Sequence, residues 1–77
     1  MYDYPPQVVR LASDIADALD DHNSFQLYLQ FAAKYEETHL KKILEKVLSI
    51  PERKIKKTRG ALFTFLVTQY ENNNSRD

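Results

Sequence analysis

Val8, Leu11, Ala12, Ile15 and Leu19 recur at three- and four-residue intervals, the spacing of one face of an α-helix. Arg10, Ser13, Asp14 and Asp17 occupy the other face. The pattern predicts a first helix from about Pro5 to Leu19. Pro5 and Pro6 suit its first turn, where their missing N–H groups cost nothing. Asp20 and Asp21 fall at or beyond its end, where the helix dipole disfavours acids by about 0.3–1 kcal/mol each. Either the helix has already ended there or a base from elsewhere compensates.

A second helix is predicted from about Ser24 to Tyr35, with Asn23 as N-cap and Gln26 three residues later as in a capping box. Phe25, Leu27, Tyr28, Leu29, Phe31, Ala32 and Tyr35 wrap most of its circumference. Only Gln26, Gln30 and Lys34 make a polar stripe, so this helix is expected at the centre. A third helix, about Glu37 to Leu48, carries an apolar stripe of Leu40, Ile43, Leu44, Val47 and Leu48. Lys41, Lys42, Glu45 and Lys46 form its outer face, and Ile50-Pro51 ends it.

Ser49 and Glu52 are spaced as a capping box around Pro51, so "PERKI" is expected to form one short helical turn with Ile55 plugged onto the core. Thr58 then caps a fourth helix, about Arg59 to Glu71. Leu62, Phe63, Phe65, Leu66, Val67 and Tyr70 cover a wide arc of it, leaving Thr64, Thr68 and Glu71 for solvent. No stretch alternates with period two for long enough to make a strand. "LFTFLV" is rich in strand formers but lacks turn signals after it, and it reads as helix. The expected fold is all-α, a compact small bundle of four helices with a short helical turn before the last helix.

The chain has 77 residues, enough for one domain. That domain is expected over residues 1–71, with "NNNSRD", residues 72–77, as a disordered tail. A chain this short buries roughly 60% of its unfolded surface, so its core is small. There is no cysteine, which removes disulfides and thiolate zinc sites and fits a reducing compartment. "MYDYPPQ" lacks the basic and apolar regions of a secretory signal. "ALFTFLV" falls far short of the roughly 20 apolar residues that span a bilayer. A soluble, cytoplasmic protein with no membrane partner is the expectation.

Charge changes the picture more than composition does. The net charge is zero. Residues 1–39 nevertheless hold two bases against seven acids, and residues 40–77 nine bases against four acids. The steepest local excess lies in residues 40–59, with eight bases and two acids. Lys41, Lys42 and Lys46 project from the third helix, and Arg53, Lys54, Lys56, Lys57 and Arg59 follow in the connector. Gly60, the only glycine, comes next, at the start of the fourth helix. The first N–H groups of a helix lack internal partners and attract anions. Thr58, Arg59 and an unshielded Gly60 would gather a hydroxyl, a guanidinium and bare backbone at that point. The candidate nucleic-acid-binding residues are therefore Lys41, Lys42, Lys46, Arg53, Lys54, Lys56, Lys57, Thr58, Arg59 and Gly60. A solvated loop is the plainer reading of the same charges.

Asp14, Asp17, Asp20 and Asp21, with His22, make the opposite patch. Their spacing lacks the internal glycine and terminal glutamate of an EF-hand loop, so no metal site is expected. An exposed acidic helix face is the plainer reading, and a docking surface for a basic protein the functional one. His22 and His39 stand in no catalytic spacing with Ser13, Ser24, Ser49 or Ser75, so neither an enzyme nor a cofactor is expected. The rings of Tyr28, Phe31, Tyr35, Phe63, Phe65 and Tyr70 fall on apolar helix faces and read as core. Base stacking needs exposed rings, for which Tyr2, Tyr4 and Tyr35 are the candidates.

The stretch "FQLYLQFAAKYEETHLKKILEKVLSIPERKIKKTRGALFTFLVTQY", residues 25–70, has a longer pattern. An aromatic-rich helix is followed by a basic amphipathic helix, a basic loop and a Gly/Ala-Leu-Phe helix. It resembles small helical segments at the C-termini of replication-initiation and primosome-type proteins of plasmids, phages and bacteria. The resemblance implies a DNA-associated or protein-docking accessory role, here without a catalytic or winged-helix domain. The expected function is thus a non-enzymatic module that binds nucleic acid, DNA rather than RNA, mainly through phosphate. The alternatives are a protein-interaction module using the acidic face of the first helix, and a homo-oligomer whose acidic and basic halves meet.

Overall fold

The hydrophobic stripes assemble into four helices in a computed structural model that describes the backbone over residues 4–74 and the side chains over residues 4–69. In chain order they are α1 (Pro6–Leu19), α2 (Phe25–Lys34), α3 (Glu37–Ser49) and α4 (Arg59–Asn74). Single 3-10 turns, His22–Ser24 and Glu52–Lys54, precede α2 and α4. Among the described residues there is no strand, and the "LFTFLV" run lies inside α4.

α1 begins as expected. Pro5 accepts the first backbone bonds from the N–H groups of Val8 and Val9, and Pro6 occupies the first helical position. The end of α1 resolves the question of its terminal acids. Asp20 adopts a left-handed conformation, φ 53° and ψ 46°. The Asp20 N–H bonds the carbonyl of Asp17, and the Asp21 N–H bonds that of Ala16, at 2.9 Å. These two bonds form a Schellman motif, and Asp is one of the few residues besides Gly that visits this region. The helix has therefore ended before either acid. His22 Nε2 also lies 3.0 Å from Asp17, the last acid inside the helix.

α1 packs on α2 and α3 on α4, while α3 also touches α1 and α2. The fully buried side chains come from all four helices: Ile15 of α1, Tyr28 of α2, Leu40 and Val47 of α3, and Phe63 and Val67 of α4. Each such burial stabilises by about 1.5–3 kcal/mol. Rings join the two helix pairs. Phe63 meets Tyr28 edge-on at 5.8 Å between centroids and Phe31 at 6.2 Å. α2 thus sits against α1 with its ring-bearing face turned to α4, in keeping with its wide apolar arc.

Several local expectations change. α2 starts at Phe25, and no side chain caps it, because residues 22–24 form the 3-10 turn and Asn23 belongs to that turn. The "PERKI" turn forms, but without a capping box: the Ser49 hydroxyl donates back to the carbonyl of Lys46 at 2.7 Å. α4 runs to Asn74, so residues 72–74 of the expected tail belong to the helix, whereas residues 75–77 lie outside the described ones. Phe65 and Leu48, both expected in the core, are exposed, Phe65 by 58%. Phe63 and Val67 already take the buried side of α4, and Phe65, two residues from Phe63, is carried round to the far side.

Candidate nucleic-acid interface

The first turn of α4 is occupied from within the molecule. Thr58 caps it as the sequence suggests, its hydroxyl oxygen accepting the Ala61 N–H at 3.0 Å. Arg59 turns back to α3, where its Nη1 donates to the carbonyl of Val47 at 2.7 Å. A guanidinium there satisfies an end carbonyl and complements the negative end of the α3 dipole. Gly60 is buried. A Cβ placed on it would collide with Asp21 Oδ2 and stand 2.8 Å from Tyr28 Oη. Tyr28 Oη in turn donates to Asp21 Oδ2 at 2.9 Å. Burial, and then the neighbouring Asp21 carboxylate, push the Tyr28 phenol well above its ordinary pKa, so it keeps its proton as the donor.

These contacts correct the expected phosphate cradle. An anion does stand at the start of α4, but it is the carboxylate of Asp21, delivered by the Schellman turn that ends α1. The absence of a side chain at Gly60 makes room for that carboxylate and for the Tyr28 hydroxyl. Gly60 is buried and leaves the candidate surface, Arg59 is half-buried with its Nη1 on the Val47 carbonyl, and the hydroxyl of Thr58 is engaged as a cap.

The opposite side of the same segment is open. The connector and the first two turns of α4 enclose a groove of about 450 Å³. It is lined by the apolar Ile55, Ala61, Leu62 and Phe65 and by Lys54, Lys56, Lys57 and Thr58. Ligand pockets run from about 300 to 1,000 Å³, so the groove is of useful size. The three lysines are exposed. Among the described residues no carboxylate lies within ion-pairing distance of them. Ile55, expected as a plug, is half-buried and faces the groove.

The remaining candidates are dispersed. Lys41, Lys42 and Lys46 are exposed on α3, and Arg53 is exposed on the 3-10 turn; none of the four lines the groove. Lys41 pairs with Glu37 one turn earlier at 2.8 Å, and hydrogen bonding to that carboxylate raises its pKa. The acidic patch is divided as well. Asp21 is half-buried against Tyr28, Asp17 faces His22, and Asp14 and Asp20 are exposed. Of the rings named for stacking, Tyr35 is half-buried, packs edge-on against Phe31 and lies under the Lys34 ammonium. Tyr4 is half-buried, and Tyr2 lies outside the described residues. The exposed ring beside the lysines is Phe65. The signal for it was the width of the apolar arc on α4, too broad for one neighbour to cover.

No group of three or more His, Cys, Asp or Glu side chains among the described residues could hold a metal ion. No described helix is long and apolar enough to cross a membrane. Compared with known proteins, the chain matches no family model, no curated protein and no solved structure.

Proposed function

We propose that this chain is a non-enzymatic helical module that binds nucleic acid through its 53–58 connector. One observation carries the reading: Lys54, Lys56 and Lys57 line a single groove with no opposing carboxylate among the described residues. A cluster of unneutralised ammonium groups attracts phosphate and releases counterions when it binds. The exposed lysines of α3 widen the positive field without lining the groove. The resemblance of residues 25–70 to C-terminal segments of replication-initiation and primosome-type proteins would fit a DNA-associated accessory role. The acidic-face alternative is weaker, because Asp21 is turned inward against the Tyr28 hydroxyl and the patch is divided.

Binding measured between 50 and 200 mM salt tests the reading. Three neutralised phosphates give a slope of about −2.1 for single strands to −2.7 for duplexes in log affinity against log salt, a loss of roughly 20- to 40-fold over that range. Replacing Lys54, Lys56 and Lys57 together with Ala flattens the slope. Gly60→Ala, by contrast, acts on folding and not on the salt dependence. Absence of binding at 50 mM salt to single strands and duplexes alike ends the proposal.

A further inference from the structure

We infer that the groove takes single-stranded nucleic acid, with a base stacked on Phe65 and the flanking phosphates held by Lys54, Lys56 and Lys57. The inference rests on the nucleic-acid reading above and names the form of the ligand. Three observations meet at one place. Phe65 is 58% exposed, whereas Tyr28, Phe31 and Phe63 are buried. It lies in the wall of a concave, largely apolar groove with Leu62 and Ile55. Lys54, Lys56 and Lys57, all exposed, line the same groove.

The chemistry of the ligand follows from this layout. A largely apolar groove that also carries exposed ammonium groups suits a molecule that is flat and apolar on its faces and anionic along one edge. A nucleotide strand has that character, because every base offers a π-face and every linkage a phosphate. A duplex offers phosphates to the same lysines but keeps its bases stacked inside, away from Phe65. Lysines act as point charges and hold the backbone without reading sequence. The groove therefore favours single strands over duplexes and discriminates little among bases. An acidic peptide with one apolar side chain is the competing occupant, and the experiment includes it.

The chain has no tryptophan, so Phe65→Trp installs a single indole reporter in the groove. Fluorescence anisotropy is measured with labelled twelve-residue oligothymidylate, the matching oligouridylate, a twelve-base-pair duplex and an acidic peptide carrying leucine. The single strands bind more tightly than the duplex, and the indole emission of the Phe65→Trp variant is quenched on binding. Phe65→Ala weakens single-strand binding roughly 5- to 150-fold, the loss of one stacked base, and leaves the salt slope and duplex binding as they were. Circular dichroism of Phe65→Ala matches the parent chain, since the ring is outside the core. Equal binding of single strands and duplex, with no effect of Phe65→Ala, overturns the stacking inference while leaving phosphate binding standing. Binding of the peptide and of no oligonucleotide overturns both. Oligothymidylate and oligouridylate report whether the 2′-hydroxyl matters, and either one binding ahead of the duplex with quenching supports the inference.

Discussion

The two sides of the first turn of α4 carry the same local sequence and have opposite fates. On one side Asp21, Tyr28 and Gly60 close together so tightly that a single methyl group would not fit. On the other, Lys54, Lys56, Lys57 and Phe65 stand around a space of about 450 Å³. A glycine beside a basic run therefore has two physical meanings. It can bare backbone for an incoming anion, or it can make room for an anion the chain supplies itself. Here the second holds, and the open anion-attracting surface lies on the neighbouring face.

The contrast is widest between two phenylalanines. Phe63→Ala, on the closed side, should destabilise by about 3–5 kcal/mol, a large share of what so small a domain possesses. Phe65→Ala should change stability by no more than about 0.5 kcal/mol. Urea denaturation of both variants checks the pair, and similar midpoints would erase the distinction. Next in size is Gly60→Ala. Replacing a helical glycine normally gains about 0.5–1 kcal/mol, but overpacking against Asp21 and Tyr28 should cost about 1–3 kcal/mol and win. In a double-mutant cycle, Asp21→Ala should recover part of the Gly60→Ala loss. Additive effects would mean that the two residues do not compete for space.

Tyr28→Phe removes a hydrogen bond to a carboxylate and should destabilise by about 1.5–3 kcal/mol. The raised phenol pKa also has a direction in pH. The folded chain holds this proton after the unfolded chain would release it. The contribution is complete below the ordinary value of 10.0 and is lost progressively as pH rises above it. Alkaline denaturation of the parent and of Tyr28→Phe checks this, because the variant lacks that part of the decline. The smallest effect is expected at Asp20, whose left-handed backbone glycine adopts without strain. Asp20→Gly should stabilise by about 0.5 kcal/mol in thermal melts.

The four helices could be read from the sequence because each rests on local signals: periodic stripes, Pro5-Pro6, Pro51 and the Thr58 cap. The helical turn after Pro51 was also readable, though not its means of capping. The partners of Arg59 and Gly60 were not readable. Val47 and Asp21 reach them through the packing of α3 and α1 against α4, and no spacing rule connects those positions. Phe65 was misplaced for a related reason. Its helix is apolar over more of its circumference than its neighbours cover, and periodicity alone does not choose which side is left bare.

The Asp21 turn also bears on how the molecule comes apart. α1 and α2 form one local pair and α3 and α4 another. The Tyr28–Phe63 ring contact fastens one pair to the other, beside the point where the Asp21 carboxylate sits against Gly60. Those contacts join residues far apart in the sequence and need both pairs already formed, so they reward the chain only late in assembly. They act as a latch: loosening it should quicken opening of the molecule far more than it delays closing. The lysine groove borders the same turn of α4, so its shape persists for as long as that latch holds.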